Sequence, residues 1–215
     1  MYNPPLFQEH DPNIIAEIIS NNGLATLVSN GVDGVPDITQ LPLLLEPNEG
    51  PFGTLYGHFA RANPHWQRLS SNNKAIAIFS GPDAYISPNW YANKQIHHKV
   101  VPTWNYESVH ALCSVEIFVE AHRLLDLVTR LTEFHERSQL QPWAVNQAPD
   151  DFIAAKLKGI VGVCLRIESI EAKRKLSQNQ QEVDRAGVRE ALAQSTHPDD
   201  RLMAEHMEKT PEDLQ

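Results

Sequence analysis

The chain has 215 residues, and 41% of them are hydrophobic, which is enough for a domain of ordinary size with a buried core. Its 27 acidic residues outnumber its 18 Lys and Arg residues, and the formal net charge of −9 opposes non-specific attraction to DNA or to an anionic membrane. With two cysteines, no run of about 18 apolar residues and no signal-peptide pattern, we expect a reducing compartment, the cytoplasm.

The first part of the chain has the pattern of a helix followed by a β-hairpin. The predicted helix, strand, turn and return strand cover residues 11–23, 24–29, 30–34 and 35–45. Pro12 suits the first turn of the helix, because its fixed φ angle fits that position and its missing N–H is not needed there. Pro36 and Pro42 interrupt the return strand, which indicates an edge position or a bulge.

The rest of the chain alternates strands with short helices. The predicted strands cover residues 54–59, 74–79, 84–87, 100–106, 109–119 and 161–168. The predicted helices cover residues 64–73, 123–138, 149–159, 183–192 and 198–207. Cys113 and Cys164 lie inside apolar strand patterns, so we expect both to be small core residues. The pattern predicts a mainly β protein with peripheral helices.

A long loop over residues 88–99 collects aromatic and basic side chains, including Trp90 and Lys94. Loops of this kind often line a site or an interface. The neighbouring His97 and His98 would point to opposite faces of an extended chain, and no further Cys, His or carboxylate spacing supports them. We therefore predict no metal site.

The corner between the strand over residues 54–59 and the helix that starts at Pro64 can be interpreted in two ways. In the first, unpaired backbone N–H groups at the helix start, together with Arg61 and Asn63, hold an anion such as a phosphate. In the second, Asn63 is only a helix cap and Arg61 an ion-pair partner on the surface. His58, on the preceding strand, is by itself more typical of a structural histidine.

Several segments resemble, in the same order, the hallmark segments of the PaiB family, whose members are described as FMN-binding negative transcriptional regulators. These segments are MYNPPLF, GHFARANPHW, ISPNWY, VPTWNY and KLSQN, at residues 1–7, 57–66, 86–91, 101–106 and 175–179. The resemblance extends to about residue 187. It implies an FMN-binding split-barrel domain with peripheral helices over residues 1–187 and a charged helical extension over residues 188–215.

The resemblance implies a split β-barrel like that of the pyridoxamine-phosphate-oxidase flavoproteins, in which two subunits form the flavin clefts at their interface. FMN would be the cofactor and a homodimer the assembly. In such barrels basic and small polar side chains near the strand-to-helix turn hold the FMN phosphate. Here those side chains would be His58, Arg61 and Asn63.

The same resemblance assigns residues around the flavin ring. The return strand would offer backbone groups to the pyrimidine side of the ring, at Thr39, Gln40, Leu41 and Pro42. Trp104 and Lys175 would approach from the dimer partner or from the barrel rim. The oxidases usually carry an Arg-Lys pair at the phosphate corner, whereas this chain has Asn63 two residues after Arg61. A charge-assisted contact is therefore missing, and we expect weaker phosphate binding.

The functional alternatives stay open at this point. The chain fits a transcriptional regulator or a weak flavin-dependent oxidoreductase, and no residue pattern identifies an oxidisable substrate. The negative net charge and the lack of a recognisable recognition helix argue against direct DNA binding. A haem-binding or haem-degrading split barrel is the alternative, although none of the ten histidines stands in the context of an axial ligand.

Overall fold

A computed structural model describes residues 1–208, apart from the side chains of a few residues, which are Asp33, Ser70, Asn72 and His97. The strands are β1 (Gln8–Glu9), β2 (Leu24–Ser29), β3 (Asp37–Pro42), β4 (Leu44–Glu46), β5 (Thr54–Ala60), β6 (Lys74–Ile86), β7 (Thr103–Phe118) and β8 (Ile160–Lys175). The helices are α1 (Pro12–Asn21), α2 (His65–Asn72), α3 (Lys94–His97), α4 (Ala121–Glu136), α5 (Asp150–Leu157), α6 (Glu182–Ala193) and α7 (Pro198–Glu208). The mainly β fold with peripheral helices is confirmed.

The eight strands form one sheet, in the order β3-β2-β6-β7-β8-β5-β4, with β1 paired to β8. The predicted return strand is in fact two short strands, β3 and β4, and they stand at the two ends of this order. Pro42 closes β3 without removing a donor from a central ladder, so the expected edge position is confirmed. In the described part of the chain, no helix combines the length and apolar character needed to span a membrane.

The sequence pattern predicts breaks between strands at residues 80–83 and 107–108. Both predictions are wrong, because β6 and β7 each run without a break. The local pattern predicts a turn at residues 81–83, which lie within β6. Gly81 instead allows close packing, since a Cβ added there would lie only 2.9 Å from the Cβ of Glu107 on β7. A tertiary contact between two strands therefore explains a glycine that the local pattern assigns to a turn.

By its internal contacts the chain divides into two compact units. The first unit comprises Met1–Ile18, Ser80–Val109 and the described residues from Glu171 onward. The second comprises Ile19–Phe79 and His110–Ile170. The long strands β6, β7 and β8 contribute residues to both.

The first unit has its own apolar core, to which α6 and α7 contribute. Its buried members are Ala84, Ile86, Tyr91, Leu176, Val188, Leu192, Met203, Ala204 and Met207. The two predicted helices of the charged tail are therefore confirmed and pack on this unit. The predicted boundary between residues 187 and 188 falls inside α6, and residues 209–215 of the expected extension lie outside the described residues.

A buried ion pair joins β7 to β8 in the first unit. Nε of Arg174 donates to Oε1 of Glu107 at 2.7 Å, and the two residues are 6% and 2% exposed. Nδ1 of His206 on α7 lies 2.8 Å from the other carboxylate oxygen of Glu107. Burial acts to raise the pKa of Glu107, but the hydrogen bonds from His206 and Arg174 outweigh it and leave this pKa lowered.

In the second unit α4 and α5 cover one face of β5 and β8. The buried residues of this layer are Leu44, Phe118, Leu124, Leu127, Leu131, Leu157 and Cys164. A Cβ at Gly162 of β8 would lie 2.3 Å from the ring of Phe118, so only glycine permits this approach. Cys113 and Cys164 are both free thiols, 0% and 1% exposed, which confirms their interpretation as core residues.

Candidate functional site

The predicted corner lies in the second unit, where β5 ends at Ala60 and α2 begins at His65. The backbone N–H of Arg61 donates to the carbonyl of Gly159 at 2.8 Å, and that of Asn63 donates to the carbonyl of Ala60 at 2.9 Å. These two bonds fix the chain as it leaves the sheet. The turn is therefore a defined scaffold for the side chains that it carries.

Arg61 is anchored by carbonyl groups and not by a carboxylate. Its Nε donates to the carbonyl of Lys158 at 2.7 Å and its Nη2 to the carbonyl of Ile160 at 3.0 Å. These contacts hold the guanidinium in one orientation while the side chain stays exposed. No ion pair within residues 1–208 involves Arg61, so its positive charge is not neutralised. An anion is the group that such an arginine suits best.

Asn63 is part of a closed polar network with Thr39 and the first turn of α2. Its Oδ1 accepts from the backbone N–H of His65 at 3.0 Å, and its Nδ2 donates to Oγ1 of Thr39 at 3.2 Å. The ring of His65 lies 2.9 Å from the hydroxyl groups of both Ser29 and Thr39. Asn63 therefore caps the helix, as the second interpretation of the corner has it.

His65 is a residue of the corner that sequence reasoning missed. It is 2% exposed, and burial lowers its pKa, which keeps the ring neutral near pH 7. A neutral ring donates from one nitrogen and accepts at the other, so two hydroxyl groups satisfy it completely. Its partners are 26 and 36 residues away in the sequence, and no local signal points to them.

His58 lies on the helix-covered face of β5. Side chains alternate along a strand, so His58 shares a face with Tyr56, which packs against the layer of α4. Its Nδ1 is buried and has no hydrogen-bond partner in the described part of the protein. Burial lowers the pKa of His58, so the ring is neutral near pH 7. An unpaired buried nitrogen is a polar group that a ligand can satisfy.

The four β3 residues predicted to border the flavin ring divide between two faces. Thr39 bonds to the corner network and Leu41 is 4% exposed. Gln40 and Pro42 point the other way and are exposed. Thus Gln40 and Pro42 can reach a group outside the sheet with their side chains, whereas Thr39 supports the corner from within.

Trp104 and Lys175 belong to the first unit, and the structure brings these two together. Nζ of Lys175 donates to the carbonyl of Trp104 and, at 2.7 Å, to Oγ1 of Thr103. Burial, with a smaller contribution from the nearby Lys173, lowers the pKa of Lys175. Trp104 is 53% exposed and meets the ring of Tyr85 edge to face, with centroids 5.9 Å apart. No sequence pattern points to Tyr85.

The predicted phosphate contacts thus have three different sets of neighbours. Arg61 is held by two carbonyls at the start of β8, Asn63 by Thr39 and α2, and His58 lies under the helical layer. No hydrogen bond joins any two of these three side chains within the described residues. What fits FMN is the unneutralised charge of Arg61, the unpaired nitrogen of His58 and the exposed edge at Gln40. Residues 1–208 contain no group of three His, Cys, Asp or Glu side chains placed to hold a metal ion.

Comparison with known proteins adds a family and a fold. A family model described as "Putative FMN-binding domain" matches residues 1–169. The "Protease synthase and sporulation protein PAI 2" of Bacillus subtilis is 33% identical over 208 residues, which cover 97% of each chain.

Two solved structures are similar in fold at low sequence identity. A conserved hypothetical protein of Mycobacterium tuberculosis aligns with a TM-score of 0.60 and 13% identity, covering 85% of this chain and 95% of that one. The flavocytochrome Anf3 of Azotobacter vinelandii aligns with a TM-score of 0.55 and 16% identity, covering 78% of this chain and 69% of that one.

Proposed function

The chain belongs to this family of FMN-binding domains, with a split β-barrel fold and FMN as its cofactor, and we propose that it works as a homodimeric flavoprotein of the PaiB type. The observation that carries the proposal is the unneutralised, carbonyl-anchored guanidinium of Arg61 at the strand-to-helix corner. It is a ready contact for the phosphate of FMN. His58, with its unpaired Nδ1, and the capped turn at Asn63 would complete that contact.

An exposed apolar face of the second unit supports the dimer. Cross-strand registers place Ile38, Val28 and Ile76 in one row on β3, β2 and β6. Ile38 and Ile76 are 56% and 39% exposed. Gln40 continues the same face of β3, next to Ile38. A second copy that covers this face would bury the apolar row and enclose the edge at Gln40.

The remaining flavin contacts would come from the partner subunit. The exposed Trp104 with its neighbour Tyr85 offers aromatic surface to a flat ring, and Lys175 adds a cation beside it. FMN supplies reversible redox chemistry when it is bound. With a net charge of −9 we propose that any regulatory role acts through a partner protein and not through direct contact with DNA.

The first test is the visible absorbance spectrum of the purified protein, followed by thermal unfolding with added FMN. We expect flavin bands, and at FMN concentrations about 100 times Kd a rise in Tm of roughly 5 to 11 °C. A colourless protein whose Tm does not respond to FMN contradicts the proposal. A Soret band after haem titration, lost on replacing one histidine, would support the haem alternative instead.

The second test changes the exposed row on the sheet. Ile76→Lys places a charge in the proposed interface, and we expect the dimer dissociation constant to rise at least about tenfold. FMN should bind more weakly at protein concentrations where the variant is monomeric. Leu202→Lys on α7 is the matched control, because Leu202 and Ile76 are 40% and 39% exposed. Sedimentation velocity would measure the dimer dissociation constant of each variant. Equal dissociation constants for the two variants would disprove this interface.

A further inference from the structure

The second unit contains a groove of ≈ 790 Å³ between α4 and α5 that the flavin proposal does not use. Its walls are apolar, with Leu124 and Leu125 from α4 and Ile153 and Leu157 from α5. A volume of this size lies within the range of small-molecule sites in proteins. Arg61 and Lys158 line this groove and also belong to the corner described above, where the carbonyl of Lys158 accepts from Arg61.

The groove has two distinguishable ends, because α4 and α5 run antiparallel. The backbone N–H of Trp143 donates to Glu136 at 3.0 Å. This bond places the segment that leads into α5 beside the C-terminal end of α4. Phe118, just before α4, lies against Gly162, just after α5. The N-terminal end of α4 therefore lies beside the C-terminal end of α5.

These two ends carry opposite charge. At the N-terminal end of α4 the groove is lined by Arg61, His122 and Lys158. At the other end it is lined by Glu133 and Asp150. Neither Arg61 nor Lys158 forms an ion pair with a carboxylate in the part of the chain that the structure describes. The basic end therefore holds positive charge that an anionic group can complement.

We infer that this groove binds a small amphipathic carboxylic acid, with its carboxylate at His122 and Lys158 and its apolar body along Leu125 and Ile153. The apolar walls favour a hydrocarbon or aromatic body over a sugar or a polyphosphate. The carboxylates of Glu133 and Asp150 at the far end disfavour a second anionic group, so the ligand is a monoanion. The inference does not depend on flavin binding.

The test is isothermal titration of the FMN-loaded protein with decanoate, below the concentration at which decanoate aggregates. We expect one decanoate per chain and at least tenfold weaker binding of decan-1-ol, which has the same body without the charge. Flavin absorbance should not change during the titration, because the groove is a separate site. No saturable binding, or equal affinity for the acid and the alcohol, overturns the inference.

Two matched pairs of variants locate the site. Lys158→Ala should weaken decanoate binding roughly three- to tenfold, whereas Lys156→Ala, two residues earlier and outside the groove, should leave it unchanged. Leu125→Glu should abolish binding, whereas Leu140→Glu, at a fully exposed position, should not. Arg61 is left intact because it also serves the flavin corner. Equal effects within either pair would overturn the assignment. The assignment would also be overturned if Leu125→Glu changed the oligomeric state while the unaltered protein bound no decanoate.

Discussion

Replacing Glu107 with Gln is expected to destabilise the protein by about 3–5 kcal/mol, the loss that follows when one partner of a buried ion pair is removed. The carboxylate is 2% exposed and bonds to Arg174, which is itself 6% exposed. Removal of the negative charge leaves the buried guanidinium with only its longer ion pair to Glu9, at 3.4 Å, although Gln keeps the volume of the side chain. By the usual relation for a chain of this length, Tm should fall by roughly 6 to 20 °C.

Urea unfolding with paired circular dichroism and fluorescence would measure this loss. Glu116→Gln is the matched control, because Glu116 also bonds to two arginines, Arg123 and Arg166, but its side chain is 33% exposed. An ion pair at such a position contributes no more than about 1 kcal/mol. If the two variants lose the same free energy of unfolding, the pair at Glu107 is not the buried element that the structure indicates.

The same carboxylate makes stability depend on acidity. Its pKa is lowered in the folded protein relative to the ordinary value of 4.5. The unfolded chain therefore binds a proton more readily, and the contribution of Glu107 is fully present above pH 4.5 and is lost as the pH falls through the lower folded pKa. Below pH 4.5 the free energy of unfolding of the Glu107→Gln variant should fall less steeply with acidity than that of the unaltered protein.

Replacing Arg61 with Ala is expected to weaken FMN binding about 10- to 150-fold. This range corresponds to about 1.5–3 kcal/mol for a hydrogen bond to a charged group. The proposed contact of Arg61 is with the phosphate of FMN, so riboflavin, which lacks the phosphate, provides the decisive comparison. Titration of flavin fluorescence should show a large loss of affinity for FMN and little change for riboflavin.

Arg61 also supports the fold, since it donates to the carbonyls of Lys158 and Ile160. Arg61→Gln separates the two roles, because Gln can still donate one hydrogen bond to a carbonyl but carries no charge. We expect this variant to lose FMN affinity while its Tm stays closer to that of the unaltered protein. An Arg61→Ala variant that is folded and binds FMN normally would place the phosphate elsewhere.

Local patterns predicted the elements well where short-range chemistry decides them. The proline-led first turn of α1, the apolar stripe of α4 and the prolines that confine β3 to an edge all act within a few residues. The family followed from ordered motifs and not from physics alone. The continuity of β6 could not be predicted, because Gly81 is explained by Glu107, a residue on another strand.

The candidate site was predicted less completely than the fold. The position of the corner and the presence of Arg61 follow from the sequence. The different roles of these side chains do not, because the partners of Asn63, His65 and Arg61 outside the corner lie 24 to 99 residues away along the chain. The groove between α4 and α5 was also invisible, since each helix alone shows only an ordinary apolar stripe. Contacts between distant segments decide which polar groups remain available to a ligand.

The burial of both cysteines provides an internal measure of how often the sheet opens. Burial raises the pKa of the Cys113 thiol to about 12 and also raises that of Cys164. A maleimide or disulfide reagent reacts with thiolates, so neither side chain can be labelled in the closed native state. The labelling rates under native conditions therefore report the transient openings of β7 and β8, residue by residue and without any engineered probe.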